Sequence, residues 1–140
     1  MIDTRAAPYA AFLLRVSLGA LFLAHGLLKL VVFTPAGTAG FFGSLGLPAI
    51  LAYITIAAEL AAAAALIAGF HVRWVALAMI PLLLGTIFFV HGGKGWLFSA
   101  AGGGWEFPAF WAVVLVVQAL LGNGAYSIQR RPADAAAPAA

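Results

Sequence analysis

Cysteine is absent from the 140 residues, which excludes disulfides, thiolate nucleophiles, Cys-ligated zinc and iron–sulfur clusters together. Redox chemistry would therefore need a bound cofactor or a partner. Charge is almost as scarce: seven Lys+Arg and four Asp+Glu make up 8% of the chain, against about 25% in an ordinary soluble domain. So few charges cannot furnish a watery surface for a 14.4 kDa body. With 65% hydrophobic residues and a mean hydropathy of +1.10, the solvent of this chain is mostly lipid. The net charge of +3 leaves no nucleic-acid footprint, because the basic residues are scattered and only Arg130 and Arg131 adjoin.

What is present is four apolar segments, at about 10–33, 48–69, 72–91 and 105–122. Helix breakers separate them: Thr34-Pro-Ala-Gly-Thr-Ala-Gly40, the Gly69-Phe-His71 turn, Gly92-Gly93 with Gly102-Gly103-Gly104, and Gly122-Asn-Gly124. Each segment is long enough to cross a hydrocarbon layer of about 30 Å at about 1.5 Å per residue. The expectation is an all-α integral membrane protein whose residues 1–129 form four transmembrane helices in an antiparallel bundle. The Ala/Pro-rich stretch 130–140 is expected to be a disordered tail. Arg15 interrupts the first apolar run, which argues against a cleaved secretory signal.

Arg5, Arg73, Arg130 and Arg131 fall on one side of a four-pass arrangement and Lys94, with Lys29, on the other. The positive-inside rule then puts both termini and the tail in the cytoplasm of a bacterial inner membrane, with the loops 34–47 and 92–104 outside. Two stretches echo each other. Phe-Leu-Ala-His25-Gly-Leu-Leu-Lys29 resembles Phe-Phe-Val-His91-Gly-Gly-Lys94, and Leu-Pro48-Ala resembles Phe-Pro108-Ala. A parallel repeat of two hairpins would produce this, as would chance within an apolar alphabet. Glu59 has no acidic counterpart in the fourth segment, where Gln118 and Ala119 stand.

Ionisable groups inside hydrocarbon cost roughly 2.5–3.5 kcal/mol each on insertion scales, so they are the sharpest functional signal available. At about 100° per residue, Arg15, Gly19, Phe22, Gly26 and Lys29 share one helical arc and His25 lies at its margin. That arc is expected to face the bundle interior. Glu59 falls in depth between Arg15 and His25, which predicts an Arg15–Glu59 pair, with His25 as the competing partner. At the outer end His91, Lys94 and Glu106 converge by topology, and Lys29 reaches the same level. Phe41, Phe42, Trp96, Phe98, Trp105, Phe107 and Trp111 surround that region and could wall a flat ring such as a quinone, or serve as an interfacial belt. Pro81 could kink the third helix and free a carbonyl toward a cavity.

With Leu14-Arg15, Gly19, Phe22, His25-Gly26 and Lys29, Glu59, His91, Gly103-Gly104-Trp105-Glu106, Gly122-Asn-Gly124 and Ser127, the sequence resembles the DoxX family over residues 10–129. Ser127-Ile-Gln129 stands where members often carry a Ser-Leu-Asp-like ending. The resemblance implies a four-helix bacterial inner-membrane protein associated with redox systems, including quinone-linked thiosulfate oxidation, often beside a catalytic partner. It also implies Arg15, His25, Glu59 and Glu106 as the polar core. On that footing His25, Glu59 and Arg15 are candidate catalytic residues, and His91, Glu106, Trp105 and Lys29 candidate cofactor contacts. The expected ligand is a quinone-like molecule. Metal ligation by His25, His91, Glu59 and Glu106, bis-His haem, and a purely structural subunit or homo-oligomer remain the alternatives.

Overall fold

In hydrocarbon a backbone must pair its own polar groups, and apolar runs dominated by alanine, leucine and valine do so as helices. The computed structural model describes residues 3–129, which contain helices and no strand; the expected tail 130–140 lies outside the described residues. Five α-helices follow in order: α1 Ala7–Leu27, α2 Pro35–Ser44, α3 Ile50–Ala68, α4 Val72–Thr86 and α5 Glu106–Leu121. Wider π-helical turns prolong α1 through Leu28–Val32 and α4 through Ile87–His91. With these extensions, Ala7–Val32, Ile50–Ala68 and Val72–Lys94 are long and apolar enough to cross a membrane, while α5 is shorter.

The helix α2 corrects the expectation that 34–47 is an irregular connection. Its glycines read as breakers, yet Pro35 occupies the first helical turn, where no donor is lost. The Thr34 hydroxyl accepts the Gly37 N–H at 3.2 Å as an N-cap. Thr38, buried, donates to the carbonyls of Lys29 at 3.3 Å and Thr34 at 2.9 Å. The short helix is thereby tied to the end of α1.

Arg15, Gly19, Phe22 and Gly26 are all buried on one face of α1, as the periodicity predicts. That face lies on α3, and the two glycines set the distance. A β-carbon at Gly19 would stand 2.7 Å from Ile67 Cγ1, and one at Gly26 2.8 Å from Leu60 Cδ2. Small residues allow this approach because packing, rather than expulsion from water, holds helices together in lipid. Leu18, Phe22, Leu66, Met79, Trp111 and Leu115 join α1, α3, α4 and α5 in one apolar core. The outward faces remain greasy: Phe88 is 79% and Leu120 76% exposed, which suits a lipid surround. Pro81 lies inside α4, which continues through it to Thr86. Both Pro81 and Leu77, whose carbonyl loses its helical N–H partner, are exposed residues.

Two arginines fasten one end of the bundle. Arg15 of α1 donates to Leu66 O at 2.8 Å and Ile67 O at 2.6 Å in the last turn of α3. Arg73 of α4 donates from Nε to Ala119 O at 3.0 Å in the last turns of α5. In each case one helix supplies a cation to the carbonyl end of another, where the helix dipole favours positive charge. Residues 122–129 strap across this end. Ala125 donates its N–H to Pro8 O at 2.8 Å and Ile128 to Ala68 O at 3.1 Å. The Gln129 side-chain oxygen accepts the His71 N–H at 2.8 Å.

Candidate functional site

The candidate site residues sort into three places. The first is an ion pair. Lys29 Nζ lies 2.9 and 3.0 Å from the two Glu59 carboxylate oxygens, and the Glu59 side chain is 4% exposed. This overturns the expected Arg15–Glu59 pair. Seen from α1, Lys29 and Arg15 share the arc, and the contacts of Gly26 with Glu59 and Leu60 put Glu59 beside the end of α1 that carries Lys29. Lys29 accordingly turns inward and does not join the outer cluster. His25 also leaves Glu59 to Lys29; its Nδ1 is 2.9 Å from Leu21 O in its own helix.

The second place is the Arg15 staple. Arg15 is 0% exposed; besides Leu66 and Ile67 it donates to Ala125 O at 2.9 Å. Its Cζ also stands 5.1 Å from the Phe12 ring centre. Its partners are carbonyl dipoles and an aromatic face, with no carboxylate among them. This arrangement holds helix ends together, and none of its hydrogen bonds goes to another candidate residue.

The third place is a cleft of about 850 Å3 that gathers His25, His91, Trp105 and Glu106. Trp96, Phe98 and Phe107 supply further aromatic wall, and Phe110 and Val113 of α5 extend it. These last two are 67% and 59% exposed, so the cleft lies open along the exposed surface of α5. Trp96 and Trp105 meet edge to face with ring centres 4.5 Å apart. Behind them Trp111 packs against Phe22 at 4.6 Å, His25 at 5.0 Å and Phe107 at 5.7 Å. Phe41 and Phe42, which the aromatic pattern grouped with this set, are not among the lining residues.

The loop before α5 builds one wall by closing on itself. Trp105 donates its N–H to Gly95 O at 3.1 Å and Glu106 to Trp96 O at 3.0 Å. Glu106 Oε1 accepts the Phe98 N–H at 2.7 Å. Gly104 makes this closure sterically possible, since any β-carbon there would run into the carbonyl oxygens of Trp96 and Leu97. Glu106 therefore has a structural duty that its position in the sequence does not disclose. His91 closes the π-helical turn of α4, and its Nδ1 is 2.8 Å from Gly103 O. The Gly102-Gly103-Gly104 run, read from the sequence only as a break between helices, is what holds this imidazole.

Among the described residues no three His, Asp or Glu side chains come together so that they could hold a metal, whereas such sites need several ligand atoms at about 2.0–2.2 Å. The cleft itself offers aromatic walls with polar side chains at its rim.

Comparison with known proteins bears on residues 10–92, which match the DoxX family model; the loop and α5 that complete the cleft lie beyond that match. The chain is also 40% identical over 75 residues to "Putative oxidoreductase CatD" of Bacillus subtilis (strain 168), covering 54% of each chain. It thus spans about half the length of that curated relative. No solved structure matches. Three apolar helices of membrane-crossing length and a family match over more than half of the sequence identify a multi-pass membrane protein, and the chain belongs to the DoxX family.

Proposed function

We propose that this protein is a redox-associated subunit of the bacterial cytoplasmic membrane that binds a quinone-type ring in the aromatic cleft and works beside a catalytic partner. The observation that carries this reading is the cleft itself: Trp96, Phe98, Trp105 and Phe107 around two imidazoles. Its opening along exposed Phe110 and Val113 suits a ligand arriving from lipid. The description of the relative as an oxidoreductase supports the redox class. A bound quinone would supply a two-electron, two-proton couple that the cysteine-free chain lacks. The protein's own part is to stack the ring between aromatic walls and to set two imidazoles at its rim.

Trp105→Ala is expected to weaken binding of a quinone about tenfold by removing one wall, since an aromatic contact of this kind is worth about 0.5–1.5 kcal/mol beyond its buried area. Bound quinone after purification in lipid nanodiscs, corrected with empty discs, measures this. Absence of specific binding of both a quinone and its hydroquinone in the wild type would end the reading.

The same reading takes α1, α3, α4 and α5 as four crossings in an antiparallel bundle of two hairpins, with both termini cytoplasmic. At 16 residues, α5 is about 24 Å long, and local thinning of the bilayer accommodates it. Single cysteines at the exposed positions Ala36, Ala101 and His71 test the topology. The first two are expected to label from outside intact cells, and His71→Cys only after permeabilisation. Labelling in the reverse pattern would put the cleft on the cytoplasmic side.

A further inference from the structure

The two imidazoles of the cleft are held in the same way. His25 Nδ1 is 2.9 Å from Leu21 O and His91 Nδ1 2.8 Å from Gly103 O. A carbonyl oxygen only accepts, so in each ring the hydrogen must sit on Nδ1. In the neutral ring the lone pair is then on Nε2, and neither Nε2 has a hydrogen-bond partner among the described residues. Packing restrains His25 further, with Trp111 at 5.0 Å between ring centres. Glu106, which shares the cleft, presents a carboxylate that also only accepts, and one oxygen is already committed to Phe98.

Resting on the quinone-ring reading above, we infer that the cleft selects the reduced, hydroxyl-bearing form of such a ring, a phenol or 1,4-dihydroxy aromatic, over the dicarbonyl form. A hydroxyl can donate to an Nε2 lone pair and still accept from an indole N–H of Trp96 or Trp105. A quinone carbonyl can do only the second. The indoles therefore do not discriminate between the two forms, and the imidazoles do. Bringing a carbonyl against Nε2 takes water from that nitrogen and returns nothing. A site built to bond a hydroxyl rejects the analogue without it on this ground.

The test uses the full chain in lipid nanodiscs, without oxygen, at pH 8, where free imidazole is neutral. Decylbenzohydroquinone and decylbenzoquinone are equilibrated with it, and the bound amounts are corrected with empty discs. The hydroquinone is expected to bind at least about tenfold tighter. In the double variant His25→Phe/His91→Phe, which keeps aromatic walls but loses both acceptors, the ratio is expected to fall toward one. The dimethyl ether of the hydroquinone, which cannot donate, is expected to bind the unaltered protein as weakly as the quinone, so the inference stays testable if the variant fails to fold. Equal or tighter binding of the quinone, or of the ether relative to the hydroquinone, would overturn the selectivity and leave the cleft a quinone site. So would an undiminished ratio in a folded double variant. Specific binding of none of the three ligands would remove the quinone-ring reading itself, and the selectivity with it.

Discussion

Glu59→Leu, with Lys29 retained, is expected to cost roughly 3–5 kcal/mol of stability, because it strands a cation that the fold has turned inward. Lys29 Nζ touches both carboxylate oxygens at 2.9 and 3.0 Å, and Glu59 is nearly inaccessible. The converse change, Lys29→Leu, is expected to cost somewhat less, since a lone carboxyl can take up a proton. The double variant Lys29→Leu/Glu59→Leu should recover most of the loss, as replacing a whole buried pair with apolar side chains often does. Glu59→Leu combined with Arg15→Met should instead be additive. Arg15 grips Leu66 and Ile67, roughly two helical turns, or about 10–12 Å, from Glu59. Unfolding of the purified protein in mixed detergent and SDS micelles, followed by circular dichroism, gives each value. Strong coupling of Glu59 to Arg15, or none to Lys29, would refute the pairing.

Arg15→Met is the second change with a large expected effect, roughly 2–4 kcal/mol. Three carbonyls, of Leu66, Ile67 and Ala125, lose a charged donor in a region where water is scarce. The loss is smaller than three full hydrogen bonds because burying the guanidinium carries its own desolvation cost. Arg15→Lys is expected to recover less than half, since a single ammonium cannot span three carbonyls as a planar fork does. The effect should also have a place. Backbone amides of residues 122–129 should exchange with solvent faster before those of α3 or α4, because Ala125 is held to α1 through Arg15 and Pro8. Uniform loosening of all helices would mean that Arg15 supports the core and does not fasten the strap.

Much of the frame of this protein is legible in its sequence. Bilayer thickness sets the length of an apolar run, so the membrane-crossing helices announce themselves as stretches of about 20 residues between glycine and proline clusters. The buried face of α1 follows from a 100° step, which gathers Arg15, Gly19, Phe22 and Gly26 on one arc. The same rules mislead over 34–47. Glycine and proline there read as breakers on propensities measured in water, and only the cap at Thr34 and the docking of Thr38 onto α1 reveal α2.

Which cation meets Glu59 was decided by the tertiary structure. Arg15 and Lys29 both lie on the inward arc, and their long side chains blur a difference in depth of several ångströms. The register of α3 against the Gly19 and Gly26 contacts fixes the choice, because backbones this close cannot slide without collision. The cleft divides in the same way. Its aromatic residues and imidazoles are visible in the sequence, since side-chain chemistry is written residue by residue. The closure of loop 95–106 and the carbonyls of Leu21 and Gly103 that hold the two rings are not. Every residue has a carbonyl, so the identity of a backbone acceptor leaves no mark in the sequence, and only the folded path of the chain determines which one an imidazole meets.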